Sequence, residues 1–394
     1  MKKSIAQLEE NTTWKTICYA IRNALFNEDI HISSSIKWKD VFFESKTQAI
    51  SRIVHVGLKG CLPQDIESEW KQFDYSTTYF FVQILEEQRK IIDLLSGNGI
   101  PLVIIKGTAA AIYYPSPELR TMGDIDFLVP PKCFESVKKL FSQNQYKQDE
   151  KEDDRHIKFT KDSVLVEMHH RFSDKDDYVN VDSYITRCMN RLETGTIRGF
   201  SFPMLPSLEN GIVLLAHLRQ HLLVGVGLKQ VLDWMMYAHA VLKDDYWKSV
   251  FRPELEKIGL EQLAIVVTRM CQIYLGLPED ITWCSEADET LCARLMNNIM
   301  QTGNFGSKHG IGTDIEKTFV NFRRNGLLKY LQRAGEFNWE AYHKHSWLKP
   351  FAWLYQIFRY LRQGKVTHRA NNHLLDDYYR SKERYKLLKD LDCI

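Results

Sequence analysis

Apolar residues recur at helical spacing from Tyr79 to Leu95, and the run stops at Ser96-Gly-Asn-Gly99, a cluster that breaks helices. This is the clearest amphipathic stretch of a first segment, residues 1–97, whose pattern is mainly helical. The period then changes. Short runs at 101–106, 123–129, 156–161 and 163–171 are apolar or alternate apolar with polar positions, and they read as strands, with helices at about 108–114 and 132–143. From Ser207 the helical period returns, over Leu208 to Leu223, Leu228 to Val241, Pro253 to Tyr274, Glu286 to Gln301, Ile315 to Ala334 and Trp347 to Gln363. The pattern predicts an α+β chain in three parts: a helical N-terminal segment over 1–97, a small mixed β-sheet backed by helices over 98–205, and an all-helical C-terminal domain over 206–394.

The strand-like runs also carry charge where a core strand would not. Asp124 and Asp126 are two apart in the run Met122 to Val129, so they share one face while Ile125 and Phe127 point to the other. Two carboxylates side by side repel unless something positive lies between them, which makes a site for a hard cation. In Ser163-Val-Leu-Val-Glu-Met-His-His-Arg-Phe172, Val164, Val166 and Met168 face one side, with Leu165, Glu167 and His169 on the other. An acid in such a strand is costly to bury unless it is paired or binds metal, so Glu167 is a candidate third carboxylate. Upstream, Ile100-Pro-Leu-Val-Ile-Ile105 ends in Lys106-Gly107-Thr108 and gives way to three alanines. That reads as a strand, a glycine turn and a helix start, where a phosphate can approach Gly107 and accept from free N–H groups and the Thr108 hydroxyl. Arg120 carries a fork-shaped guanidinium suited to bidentate phosphate contact, with a salt bridge to Glu118 or to one of the aspartates as the plain alternative.

A glycine turn, an Asp-x-Asp and a third acid on a later strand together resemble the nucleotidyltransferase superfamily that includes DNA polymerase β and the small antibiotic nucleotidyltransferases. More narrowly, Lys106-Gly107, Tyr113-Tyr114-Pro115, Arg120, the run Gly123 to Val129 and Glu167-Met-His169 resemble the bacterial family of uncharacterised nucleotidyltransferases. The likeness is densest over residues 100–172 and extends to His217, His221 and Asp233 and to Gly303-Asn-Phe-Gly306. Two departures stand out: 16 residues separate Gly107 from Asp124, more than is usual, and Thr108 stands where serine is commoner. The resemblance implies a polymerase β-like palm and a Mg²⁺-dependent transfer of a nucleoside monophosphate from an NTP to a hydroxyl. In that reading Asp124, Asp126 and Glu167 hold two Mg²⁺ ions, with Mn²⁺ as the alternative metal. Lys106, Gly107, Thr108 and Arg120 bind the nucleotide, and His169, His217, His221 and Asp233 face the substrate. ATP is the default donor, and the acceptor stays open.

Composition narrows the alternatives. A chain of 394 residues with 44% hydrophobic and 26% charged residues fits a folded protein of two or three domains. A net charge of +2 gives no general footprint for nucleic acid. No apolar stretch is long enough to span a bilayer and the start carries no secretory core, so a cytoplasmic protein is expected. The 8 cysteines are scattered without zinc or disulfide spacing. His217 and His221 share a helix face but lack the His-Glu-x-x-His acid, so zinc is not predicted there. The charge-rich stretch 147–155 reads as a connection between strands that could cover the site. The cluster Gly303, Gly306, Ser307, Lys308, Gly310 and Gly312 reads as a loop, since no strand precedes it. The aromatic and arginine-rich run Phe351 to Arg362 reads as a core helix before membrane or partner contact is considered. Two rivals remain. A catalytically silent nucleotide-binding or regulatory protein would keep this fold, and a metal-dependent phosphohydrolase would want more histidine and aspartate ligands than the chain supplies.

Overall fold

A computed structural model describes residues 11–29, 32, 35–149, 155–173, 179–304, 326–339, 341, 345–367 and 374–394. The chain is α+β, as its pattern predicts. Four helices come first: α1 (Thr12–Phe26), α2 (Trp38–Thr47), α3 (Ser51–Gly57) and α4 (Gln64–Gly97). The predicted stop at Ser96 to Gly99 holds, whereas α4 begins well before Tyr79, at Gln64, because Ile66, Trp70 and Asp74 recur at helical spacing and are buried, which extends the helix toward its N-terminus.

The middle of the chain builds one sheet from β1 (Val103–Ile104), β2 (Asp124–Leu128), β3 (Lys147–Gln148), β4 (His156–Lys161), β5 (Val164–His169), β6 (Glu193–Ile197) and β7 (Phe200–Met204). The strand order is β3-β4-β5-β2-β1-β7-β6. β2 and β5 run parallel, as do β1 and β7, while the other neighbours are antiparallel, so the sheet is mixed. Two helices lie among the strands, α5 (Gly107–Ala111) and α6 (Phe134–Gln143). β4 and β5 are joined by Asp162 and Ser163, both with positive φ (47° and 69°), the conformation of a two-residue hairpin turn. The hairpin of β6 and β7 escapes the sequence reading because Gly195, Gly199 and Pro203 interrupt its alternation.

Helices then follow: α7 (Asp182–Cys188) before the last hairpin, and after it α8 (Ser207–Val224), α9 (Leu228–Val241), α10 (Arg252–Ile258), α11 (Glu261–Leu275) and α12 (Glu289–Thr302). The single helix expected over Pro253 to Tyr274 is two, because Gly259 turns left-handed at φ 66°. α13 (Leu327–Asn338), α14 (Ala352–Thr367) and α15 (Leu374–Asp390) complete the described chain. The predicted helix from Ile315 is described only in its second half. Gly306, Ser307, Lys308, Gly310 and Gly312, and residues 150–154 of the charge-rich stretch, lie outside the described residues.

Two buried clusters hold the fold together. One packs α4, including Phe81, Ile84, Leu85 and Ile91, against the inward sheet residues Ile125, Phe127, Val164, Val166 and Met168. The other joins Ile17 and Ile21 of the first helix to Trp234, Leu263 and Met270 of the later ones. Ile125 and Phe127 are thus anchored to the helix side, which leaves Asp124 and Asp126 on the opposite face of the sheet.

Candidate active site

Register brings the acids together. In the parallel pair β2 and β5, Asp126 is opposite Glu167 and Asp124 opposite Leu165, so all three carboxylates emerge on one face. Single oxygens of Asp124, Asp126 and Glu167 lie within 4.8 Å of one another. They form part of the wall of a cleft of about 640 Å³, whose opposite side is lined by His217, His221 and Lys229 from α8 and α9.

Two lysines and a histidine surround the acids. Lys106 caps the start of α5 with positive φ (56°), a conformation costly for a side chain, and its Nζ lies 2.7 Å from Asp126 Oδ1. His169 Nε2 lies 2.9 Å from the same oxygen and 3.6 Å from Glu167 Oε2. Glu167 Oε1 accepts from Lys158 Nζ at 2.9 Å. Burial works to raise the Asp126 carboxyl, but Lys106 and His169 outweigh it and hold it below the usual carboxylate range. Glu167 is likewise brought down to about 2: burial opposes the shift, and His169, Lys106 and Lys158 carry it. Asp124 goes the other way, raised by burial and by the charge of Asp126. One carboxyl of the set is therefore under-compensated, and an oxygen-only trio of this kind fits a hard divalent cation such as Mg²⁺ or Mn²⁺.

The remaining predicted residues fall into two groups. Gly107, Arg120, His169, His217 and His221 line the same cleft as Lys106 and the acids. Thr108 and Asp233 do not. The Thr108 hydroxyl donates to Gln88 Oε1 at 2.8 Å in the buried layer beneath α5, so its side chain faces away from the expected phosphate. Asp233 accepts from Arg120 Nε and Nη2, both at 2.8 Å, and from the Tyr114 hydroxyl at 2.9 Å, which commits it to fixing Arg120 instead of facing substrate. The plain alternative for Arg120, a salt bridge, is thus present with Asp233 as its partner, while Glu118 pairs with Arg198. His217 and His221 meet through their Nε2 atoms at 2.9 Å, one donating and the other accepting. Burial keeps both neutral: His217 falls well below its ordinary value, and His221 is lowered to about 3, with Lys106 adding to its shift.

Among the residues of this wall that the sequence reading passes over are His156, Lys158 and Lys229. Two carry a signal. Counted outward from the turn at Asp162-Ser163, hairpin pairing sets Lys158 opposite Glu167 and His156 opposite His169. Lys229 has no such signal, since it reaches the cleft only because α9 docks there. Gln48 fixes that start, its Oε1 accepting from Leu228 N at 3.0 Å.

The sequence model of a family described as uncharacterised nucleotidyltransferases matches residues 34–276, more than half of the chain and every element of the cleft. The chain belongs to this family. It is a nucleotidyltransferase, and the family match spans the acidic strands and the helices facing them. No curated protein matches it. Among solved structures, the chain is similar to the antibiotic-resistance factor ANT(2'')-Ia, at 13% identity over 46% of this chain and 95% of that one, with a TM-score of 0.33. It is also similar to an antigenic nucleotidyltransferase-like protein from Paracoccidioides brasiliensis, at 12% identity over 50% and 96%, with a TM-score of 0.32.

Proposed function

We propose that this nucleotidyltransferase moves a nucleoside monophosphate from an NTP, with ATP the donor to try first, to a hydroxyl acceptor and releases pyrophosphate. The observation that supports this reading is the convergence of Asp124, Asp126 and Glu167 within 4.8 Å, in a cleft walled by Lys106, Arg120, Lys158 and Lys229. Asp124 and Asp126 would hold the Mg²⁺ ions, two in this reading, with Glu167 completing the set. Bound there, such ions acidify an acceptor hydroxyl and offset charge on the phosphates.

The chain's own groups do the rest. Lys106 and Lys229 present ammonium groups to the triphosphate, and Arg120, clamped on Asp233, supplies a charge that cannot swing away. Glu167, held ionised well below neutral pH, serves better as fixed negative charge than as a proton acceptor. The neutral His217 and His221 pair offers hydrogen bonds, without charge, on the side where the acceptor would enter. The acceptor hydroxyl gives up its proton to solvent, and its oxygen bonds the α-phosphorus as the bond to the pyrophosphate oxygen breaks in line. The catalytic unit in this reading is residues 98–205, with the segments before and after it helical.

Transfer of label from an α-labelled NTP tests the reading. Asp126→Ala should abolish transfer with its circular dichroism unchanged, and activity retained in that variant removes the mechanism. Label released without becoming attached to an acceptor would indicate hydrolysis instead. Failure of every NTP to bind in the presence of Mg²⁺ would return the silent scaffold.

A further inference from the structure

The acidic set has a nitrogen-bearing neighbour on the same sheet face. In the hairpin of β4 and β5, His156 is directly opposite His169, and both are buried beside Glu167. His156 Nε2 lies 3.8 Å from Glu167 Oε2, and His169 Nε2 lies 3.6 Å from that same oxygen. The two rings are 4.9 Å apart and tilted by 37°. One ligand atom from each of the three residues falls within 4.8 Å of the others.

We propose that His156, Glu167 and His169 form a site for a borderline transition ion such as Zn²⁺, adjoining the all-oxygen set and competing with it for Glu167. Bonds of about 2.0–2.1 Å around a tetrahedral ion place its ligand atoms roughly 3.3 Å apart, so the 3.6 and 3.8 Å separations of the two imidazoles from Glu167 need only a small contraction. Two imidazoles with one carboxylate suit Zn²⁺ and its neighbours, whereas Mg²⁺ favours the oxygens of Asp124 and Asp126. Both histidines sit in paired β-strands, and their backbones are fixed before any ion arrives. Occupation has a cost for the oxygen set. It draws His169 Nε2 away from Asp126 Oδ1, now 2.9 Å distant, and withdraws Glu167 from the carboxylate trio. Zn²⁺ at this site therefore opposes the metal-dependent transfer proposed above.

The proposal shares Glu167 with that reading, so its test reads binding and not turnover. Zn²⁺ is titrated calorimetrically into the full chain with Mg²⁺ in excess, and Co²⁺ is substituted as an absorbing reporter. One ion should bind per chain. His156→Ala should weaken binding by at least about tenfold and remove the visible Co²⁺ band, while Asp124→Ala leaves both in place. Should His156→Ala fail to fold, His156→Gln, closer in size, provides the same comparison. Absence of Zn²⁺ binding overturns the site. So does binding that survives His156→Ala or His156→Gln but is lost in Asp124→Ala, because the ion would then rest on the carboxylates. These outcomes hold whether or not any NTP is turned over.

Discussion

Arg120 shows how one buried residue sets the cleft's charge. Its side chain and that of Asp233 are each only 3% exposed, and two 2.8 Å hydrogen bonds make the pair bidentate. Such a pair adds little over an apolar substitute, but losing one partner leaves a charge buried alone. Asp233→Ala should therefore cost about 3–5 kcal/mol, read as a fall in the urea midpoint at unchanged slope, and should weaken NTP binding as Arg120 shifts. A midpoint within error of wild type would show that the guanidinium finds another partner. Residues of this kind mark the limit of sequence reading. Asp124, Asp126 and Glu167 were legible because alternation in a strand assigns faces. Thr108 and Asp233 were legible only as residue types, and it is their long-range partners Gln88 and Arg120 that turn them from the cleft.

At the level of elements, the cleft's far wall depends on how closely α8 lies against α9. Gly211 of α8 is packed so tightly on Tyr237 that an added Cβ would come 2.1 Å from the ring, and the Tyr237 hydroxyl donates to Ser207 O at 2.9 Å. Alanine at a helical glycine ordinarily gains up to about 1 kcal/mol. Here the overlap reverses the sign, because Tyr237 is fully buried and cannot retreat. Gly211→Ala should lose roughly 1–3 kcal/mol in a thermal or urea melt, and a gain in stability would show that the two helices separate without cost. These two helices were read to within a residue from their period, Leu228 to Val241 completely so, whereas the reading over Pro253 to Tyr274 missed a break and that at Tyr79 missed the start at Gln64. The hairpin of β6 and β7 was not, since a strand broken by glycine and proline keeps no alternation and is defined by its pairing.

For the molecule as a whole, pH reports on the cleft. His217 and His221 are neutral in the fold and held below their ordinary value, so the unfolded chain binds more protons between about pH 6.5 and 3. Stability should be fully present above that window and fall as pH drops through it, by about 1 kcal/mol per pH unit for each such imidazole. Comparing urea midpoints at pH 7.5 and 5 tests this, and replacing both histidines by asparagine should flatten the difference. An equal fall in the double variant would assign the dependence to other groups. The sequence by itself determined the α+β class, the extent of most helices, the family, and which acids share a strand face, because period and local turn chemistry act over a few residues. Tertiary structure decided the rest: that Asp126 and Glu167 are neighbours in a parallel pair, that Lys229 joins them, and that Asp233 holds Arg120. Those contacts join residues up to 113 positions apart, and no local period records which distant surfaces bury each other.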